Sequence, residues 1–184
     1  GYSEILKHSL IYDVNFFNWL DKNYLKIFKL QSKFIEKAIR NSILIKTFFV
    51  KNDPKEILTN SKSRSMLNFG HSFGHALETY YGYNKLNHGE AISIGMIIEA
   101  KISNRLGFLS NDQLQKILSH FKKTNLKIID KNIYNKKILE IVSNDKKNSN
   151  GLINIVLLKK IGSSFFKRNI SLKDLSNVIS ELKK

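Results

Sequence analysis

The chain of 184 residues contains no cysteine. Disulfide bonds are therefore excluded, and so are zinc sites built on thiolates, which leaves histidine, aspartate and glutamate as metal-binding side chains. No run approaches the ~20 apolar residues that a membrane-spanning helix needs. The short apolar run Leu10–Tyr12 near the start does not resemble the core of a secretory signal. These absences predict a cytoplasmic protein with no membrane partner.

Arginine is scarce in a chain that is otherwise strongly basic. The formal net charge is +16, which alone would suit a nucleic-acid-binding protein. Only four of the 31 basic residues are arginines, and the lysines are scattered singly or in pairs rather than in one run. Because nucleic-acid readers use arginine for bidentate contacts, we expect a solvated lysine-rich surface and no nucleic-acid partner. A smaller part of the charge is available to an anionic substrate.

Proline is almost absent, and the single Pro54 lies in a polar stretch that predicts a loop as far as Ser63. Elsewhere apolar residues recur at the i, i+3, i+4 spacing of amphipathic helices. Ser110 and Ser171 are placed to cap two of these helices. The pattern predicts helices over residues 14–30, 31–50, 65–81, 89–106 and 133–143, and after each of the two capping serines.

One stretch departs from the helical pattern. Residues 151–159 form an apolar run of leucine, isoleucine and valine between polar flanks, which predicts a strand. Ser164–Lys167 could pair with it in a small hairpin. We therefore expect a mainly α fold, a helical bundle with a minor β-hairpin near 151–167, and a single domain over 1–184.

Three of the five histidines lie close together in the sequence. His71 and His75 are four residues apart and would share one face of a helix. Gly70 and Gly74 have the same spacing, and glycine inside a helix costs about 1 kcal/mol relative to alanine. That cost is tolerated where another backbone or a ligand must approach closely. His88 opens the next predicted helix and could face the previous one across a turn.

The spacing of His71 and His75 alone fits two packed or surface histidines as well as a metal site. A third histidine, His88, favours the metal interpretation, because catalytic zinc commonly has three protein ligands and one open position. Two or three histidines with a carboxylate would suffice. The candidate carboxylates are Glu78, Glu90 and the more distant Glu4, and spacing does not choose among them.

The segment Leu67–Glu78, followed by Gly82–Tyr83 and His88–Met96, resembles the signature of the 3-dehydroquinate synthases. The similarity continues in order through nearly the whole chain. Further segments resemble family motifs, namely Ser3–His8, the spaced set Lys46, Asp53 and Glu56, and Asp145–Lys147.

The resemblance implies roles for individual residues. It implies that zinc, cobalt or another divalent ion is bound by Glu4, His71 and His88. It implies that the catalytic residues are His75, Lys7, Lys46 and Glu56. It implies that the substrate-binding residues are Arg64, Asn68, Lys146 and Lys147, with one of the last two in contact with substrate.

The resemblance also implies an activity. Members of the family are lyases of the shikimate pathway that convert 3-deoxy-D-arabino-heptulosonate 7-phosphate to 3-dehydroquinate and phosphate with NAD and zinc. Lysine and arginine suit a substrate with a carboxylate and a phosphate. The family implies a homodimer. The sequence has no glycine-rich phosphate-binding turn between a strand and a helix, so we expect the NAD-binding α/β domain to be absent from this chain and the chain alone to be inactive.

Some features depart from the family pattern. Extra residues separate Glu56 from Arg64, and Pro54 stands where an acid is usual, so Glu56 is less firmly placed than Arg64. Another sugar-phosphate cyclase of the same superfamily is one alternative. A basic helical module that binds nucleic acid is a second, although it leaves the glycine–histidine pattern unexplained. The resemblance gives no role to His8 or His120, and both are expected to be structural or exposed.

Overall fold

A computed structural model describes residues 1–82, 85–144 and 152–182. These residues form eight α-helices, one short 3₁₀ helix and a two-stranded antiparallel sheet, which confirms the mainly α class with a minor hairpin. In chain order the elements are α1 (Tyr2–Tyr12), α2 (Val14–Phe28), α3 (Ser32–Asn52), the 3₁₀ helix (Arg64–Asn68), α4 (His71–Tyr80), α5 (His88–Arg105), α6 (Asn111–Lys123), α7 (Lys136–Ser143), β1 (Leu152–Lys160), β2 (Ser163–Ser171) and α8 (Leu172–Leu182).

Helix α1 was not predicted from the apolar periodicity. Its buried face carries polar side chains, including Ser3, Lys7 and His8, alongside Leu6 and Leu10. Because polar residues interrupt the apolar stripe, the helical period is hidden in the sequence. A buried lysine and a buried histidine on one helix face indicate that this face serves more than packing.

The predicted helix over 65–81 is wrong, because the segment is broken in two. The 3₁₀ helix ends at Asn68, and Gly70 then adopts a left-handed conformation with φ of 81° as the N-cap of α4. Gly70 therefore lies outside the helix, whereas its spacing had suggested a position inside one. A β-carbon at Gly70 would lie 2.5 Å from Met96 Cγ and 2.9 Å from the Ile92 carbonyl oxygen, so glycine lets this turn approach α5 closely.

Helix α5 lies between two hydrophobic cores. Ile92 and Met96 pack into the core formed with α1, α2, α3 and α6, whereas Ile94 and Ile98 pack into the core formed with α4, α7, α8 and the hairpin. A helix that is apolar on all sides is buried on all sides. Because α5 contacts both cores, it fixes α4 relative to α1.

The hairpin is longer than the sequence predicted, since β2 reaches Ser171. Its turn packs against the α1–α2 corner, where the Gly162 N–H donates to the Leu10 carbonyl at 2.8 Å.

The predicted caps Ser110 and Ser171 both accept backbone N–H groups, from Gln113 and Asp174. Within the described ranges, no helix has the length and apolar character required to cross a bilayer.

Candidate metal centre and substrate cleft

Three potential metal ligands converge from three helices. Glu4 lies in the first turns of α1, and His71 and His88 are the first residues of α4 and α5. One ligand atom from each of these residues lies within 4.8 Å of those of the other two. The distance between His71 Nε2 and Glu4 Oε1 is 3.9 Å. The structure therefore brings together the three residues that the resemblance implied as ligands.

Hydrogen bonds orient both imidazole rings. His71 Nδ1 lies 3.2 Å from the Phe69 carbonyl oxygen, and His88 Nδ1 lies 2.9 Å from Glu78 Oε1. A carbonyl and a carboxylate only accept hydrogen bonds, so each Nδ1 carries the proton and each Nε2 keeps its lone pair. Acceptors of this kind commonly hold metal-binding histidines in the correct tautomer. Both rings are thus prepared to offer Nε2 to a cation.

Glu4 contributes a carboxylate of which only one oxygen has a hydrogen-bond partner among the described residues. Its Oε2 accepts from Lys7 Nζ at 2.8 Å. Its Oε1 is buried and has no hydrogen-bond partner among the residues that the structure describes. A buried acceptor without a partner is costly, and a bound cation would supply one. This oxygen faces His71, so the observation fits a metal ion between the two residues.

The charges at the centre also suit a divalent cation. Burial acts to raise the pKa of Glu4, but the charge and hydrogen bond of Lys7 hold that pKa below its ordinary value. Burial, followed by the charge of Lys7, lowers the pKa of His71 to about 3. The centre therefore offers the Glu4 carboxylate and a neutral His71 imidazole at neutral pH. Such a donor set fits zinc or cobalt and does not choose between them.

The three candidate carboxylates have different surroundings. Glu4 faces the two histidines, whereas Glu78 accepts the hydrogen bond from His88. Glu90 forms a capping box with Asn87 at the start of α5. Glu78, His88 and His75 also form a possible ligand group, but Glu78 Oε1 already accepts from His88. Glu4, by contrast, faces His71 with a buried oxygen that has no hydrogen-bond partner among the described residues, so it is the carboxylate better placed for a metal.

His75 lies one turn after His71 on α4 and is exposed. Its ring centroid is 5.1 Å from that of His71 and 6.2 Å from that of His88. It therefore borders the metal centre without being part of the group formed by Glu4, His71 and His88.

A cavity of about 210 Å³ opens beside the metal centre. It collects side chains from α1, α3, the 3₁₀ helix and α4, and it includes every predicted site residue of the described chain except His75 and His88. Lys146 and Lys147 lie outside the described residues. The lining consists of Glu4, Lys7, His8, Lys46, Glu56, Arg64, Leu67, Asn68 and His71.

Cations dominate this cleft. Lys7 is buried against Glu4, and burial lowers its pKa, with the charge of Glu4 opposing the change. Lys46 is exposed and Arg64 is half-buried. The carboxylate of Glu56 balances part of this charge. Its Oε1 also accepts from Asn68 Nδ2 at 3.0 Å. The cleft can therefore bind an anionic molecule of small size.

Asp53 organises the loop that carries Glu56 and Arg64. Its buried carboxylate accepts backbone N–H groups of Ile57, Leu58 and Arg64. Burial acts to raise the pKa of Asp53, but these hydrogen bonds hold it below its ordinary value. The resemblance included Asp53 without a role, and the structure shows that it anchors a loop whose added residues made Glu56 hard to place.

Glu99 was missed by the sequence reasoning. It is fully buried in α5, and its Oε2 accepts the Gly70 N–H at 2.6 Å. This bond fixes the turn immediately before His71. The only signal in the sequence was a single acid between apolar residues of one helix, which does not reveal its partner.

Other cavities are larger than this cleft. One, of about 600 Å³, runs along an exposed face of α3 and is lined mostly by isoleucine and leucine. A second, of about 580 Å³, lies between the starts of α1 and α5, and a third, of about 290 Å³, lies between the end of α1 and α3. None of these three linings contains a histidine, so the smaller cleft remains the candidate for chemistry.

Comparisons of the sequence with known proteins point to one family. The family described as 3-dehydroquinate synthase C-terminal matches residues 1–148. The 3-dehydroquinate synthase of Thermodesulfovibrio yellowstonii is 38% identical over 182 residues, which are 98% of this chain and 50% of that protein. The enzyme of the same name from Pelagibacter ubique is 42% identical over 181 residues, or 96% of this chain and 48% of that protein. The chain thus spans about half the length of these curated relatives.

Solved structures show the same fold at lower sequence identity. The 2-epi-5-epi-valiolone synthase of Streptomyces hygroscopicus subsp. jinggangensis, with NAD⁺ and Zn²⁺ bound, has a TM-score of 0.84 and 19% identity over 99% of this chain and 50% of that chain. A 2-deoxy-scyllo-inosose synthase with carbaglucose-6-phosphate, NAD⁺ and Co²⁺ has a TM-score of 0.60 and 18% identity over 98% and 50%. With the family match and the two sequence relatives, these likenesses lead to one conclusion: the chain belongs to the 3-dehydroquinate synthase C-terminal family.

Proposed function

We propose that this chain supplies the metal-binding half of a 3-dehydroquinate synthase active site. The complete protein would convert 3-deoxy-D-arabino-heptulosonate 7-phosphate to 3-dehydroquinate and phosphate, with NAD and a divalent metal as cofactors. The observation that carries the proposal is the convergence of Glu4, His71 and His88 beside a cleft lined by Lys7, Lys46 and Arg64.

The side chains of the cleft suit this substrate. Lys7, Lys46 and Arg64 would neutralise its carboxylate and phosphate, with Arg64 offering a planar fork. Asn68 and Glu56 would orient its hydroxyl groups. We propose that Lys146 or Lys147 adds a further contact.

Glu4, His71 and His88 would hold the metal through one carboxylate oxygen and two Nε2 atoms. The metal, when bound, supplies Lewis acidity to a substrate hydroxyl. Exposed His75 would move a proton at a ring nitrogen or hold the catalytic geometry. We propose that NAD binds mainly to the part of the relatives that this chain does not match, so the chain alone should be inactive.

The test measures metal content and phosphate release in the complete protein that contains this chain. We expect about one bound zinc per chain and loss of both zinc and activity in His71→Ala, since structural and catalytic zinc sites fail without a ligand. His120→Ala is the matched control, because His120 is a buried histidine outside the cleft. A metal-free protein whose zinc affinity is unaffected by His71→Ala would contradict the proposal.

Another sugar-phosphate cyclase is a second candidate, supported by the fold shared with the 2-epi-5-epi-valiolone synthase. The retained His75 and the lysines of the cleft favour the synthesis of dehydroquinate. An assay of the complete protein with several sugar phosphates separates the two functions, because only the correct substrate should give a high kcat/KM.

We also propose that the complete protein is a homodimer without a nucleic-acid partner. Sedimentation velocity would give the mass of the assembly, and a monomer would contradict the first part. Binding of duplex DNA that falls steeply with salt and is indifferent to His71→Ala would contradict the second.

A further inference from the structure

His8 lines the candidate substrate cleft, although the resemblance gave it no role. It follows Glu4 by one helical turn on α1 and lines the same cavity as Lys7 and Lys46. Only 4% of its surface is exposed. A histidine buried beside two lysines and a proposed metal ligand calls for a physical explanation beyond packing.

The partner of His8 provides that explanation. His8 Nδ1 lies 2.7 Å from Ser42 Oγ, and both side chains are buried. Ser42 belongs to α3 and precedes Lys46 by one helical turn, so the two share a face. The bond therefore joins α1, which carries Lys7, to α3, which carries Lys46, at the level of the cleft.

The bond links neutral groups. Burial, followed by the charge of Lys7, lowers the pKa of His8 to about 4, with Lys46 acting in the same direction and Glu4 opposing it. His8 therefore adds no third positive charge between the lysines. Apolar packing alone tolerates small sliding of one helix on another, whereas a short buried hydrogen bond is directional.

We propose that His8 and Ser42 form a positioning pair that sets the separation between Lys46 on α3 and Lys7 on α1. This inference rests on the proposed function, in which the two lysines meet anionic groups of a sugar phosphate. The pair acts through the lysines rather than by touching the reacting atoms. A displacement of about 1 Å in such a site lowers catalysis by up to about 100-fold.

The experiment uses the complete protein with His8→Leu, Ser42→Ala and the double variant. We expect each single change to lower kcat/KM for the heptulosonate phosphate at least about tenfold, mainly through KM. The kcat/KM of the double variant should be no lower than that of the less active single variant, because both changes remove the same hydrogen bond. Metal content should remain that of the unaltered protein, since Glu4, His71 and His88 are retained.

Conservative variants separate positioning from general destabilisation. In His8→Asn the side-chain amide occupies the place of Nδ1 and can bond Ser42, so we expect most of the kcat/KM to return. His120→Leu removes another buried histidine, which is bonded to Asp21, and should lower thermal stability while leaving KM unchanged. An unaltered KM in His8→Leu, multiplicative losses in the double variant, or no rescue by asparagine would each overturn the proposal.

A second measurement separates this inference from the proposed function. If the unaltered protein does not turn over the heptulosonate phosphate, the proposed function fails, and the same variants are compared by their Kd for inorganic phosphate in calorimetry. Weaker phosphate binding in His8→Leu, restored in His8→Asn, would still support the positioning pair. Equal phosphate affinities, or no phosphate binding by the unaltered protein, would overturn it.

Discussion

At the scale of single residues, hydrogen bonds from Nδ1 orient the two imidazoles of the proposed metal centre. His88 donates from Nδ1 to Glu78, and His71 donates from Nδ1 to the Phe69 carbonyl. The side-chain acceptor is the one that mutation can change. Its carboxylate fixes the orientation and tautomer of the His88 ring, so it should contribute directly to metal affinity.

We therefore predict that Glu78→Gln weakens zinc binding by about 10- to 100-fold. Glu90→Gln is the matched control, because Glu90 lies two residues after His88 but caps the start of α5 instead of contacting the ring. Competition with a chromogenic chelator gives both affinities. Equal losses in the two variants would show that the loss comes from the helix end and not from the His88 hydrogen bond.

The residues that the sequence could identify differ from those that it could not. The glycine–histidine pattern drew attention to His71, His75 and His88 together. Only the resemblance separated His71 from His75 and included Glu4, which lies far from the histidines along the chain. The structure was needed to show that Glu78, and not Glu90, accepts the hydrogen bond from His88, since both lie near His88 in the sequence. His8 gave no signal of its site either, because only a contact between distant helices reveals it.

Among the elements, the turn before α4 depends on a particular backbone conformation. Gly70 has a positive φ, and a side chain there would meet Met96 and the Ile92 carbonyl of α5. The apolar pattern continued across this turn and concealed it. A left-handed residue in front of a helix leaves no trace in hydrophobic periodicity, which explains why the sequence predicted one unbroken helix over 65–81.

We predict that Gly70→Ala lowers the free energy of unfolding by about 2–4 kcal/mol, from the left-handed conformation and the collision with α5 together. Gly82→Ala is the matched control, because Gly82 also has a positive φ but has open space around it. The control should lose only about 1–2 kcal/mol. Urea unfolding of both variants provides the measurement, and equal losses would contradict the role of the close approach.

The loop after α3 can be tested in the same way. Asp53→Ala removes the acceptor of three backbone N–H groups, so Glu56 and Arg64 should lose their fixed positions. We predict at least about a tenfold loss of kcat/KM in the complete protein, from misplaced cleft residues. Asp13→Ala, which removes the N-cap of α2 outside the cleft, should lower stability and leave kcat/KM unchanged. A full kcat/KM in Asp53→Ala would contradict this view of the loop.

For the whole molecule, buried histidines make stability depend on pH. The pKa of His8 lies near 4 and that of His71 near 3, and His120 is also lowered, in each case first through burial. Unfolded histidine titrates near 6.5, so between these values the unfolded chain binds more protons than the folded one. The stability that these neutral rings contribute is therefore present above pH 6.5 and lost as the pH falls toward 4.

We predict that the urea midpoint of the metal-free protein decreases between pH 7 and pH 5. The carboxylates Glu4, Asp21 and Asp53, whose pKa values are lowered, act in the same direction but only below about pH 4.5, where carboxylates begin to protonate. His120→Phe should reduce the slope, because one buried imidazole is removed. A midpoint that is constant or higher at pH 5 would contradict the prediction.

The positions of the three proposed ligands in the chain have a consequence for the stability of the whole molecule. Glu4 belongs to the helix that packs with α2, α3 and α6, whereas His71 begins a helix of the other core. An ion held by both would act as a cross-link that closes a long loop of chain between residues 4 and 88, and unfolding would have to release it. The denaturation temperature should then rise with the concentration of free metal. With metal bound, the helices of the two cores should unfold in one cooperative transition.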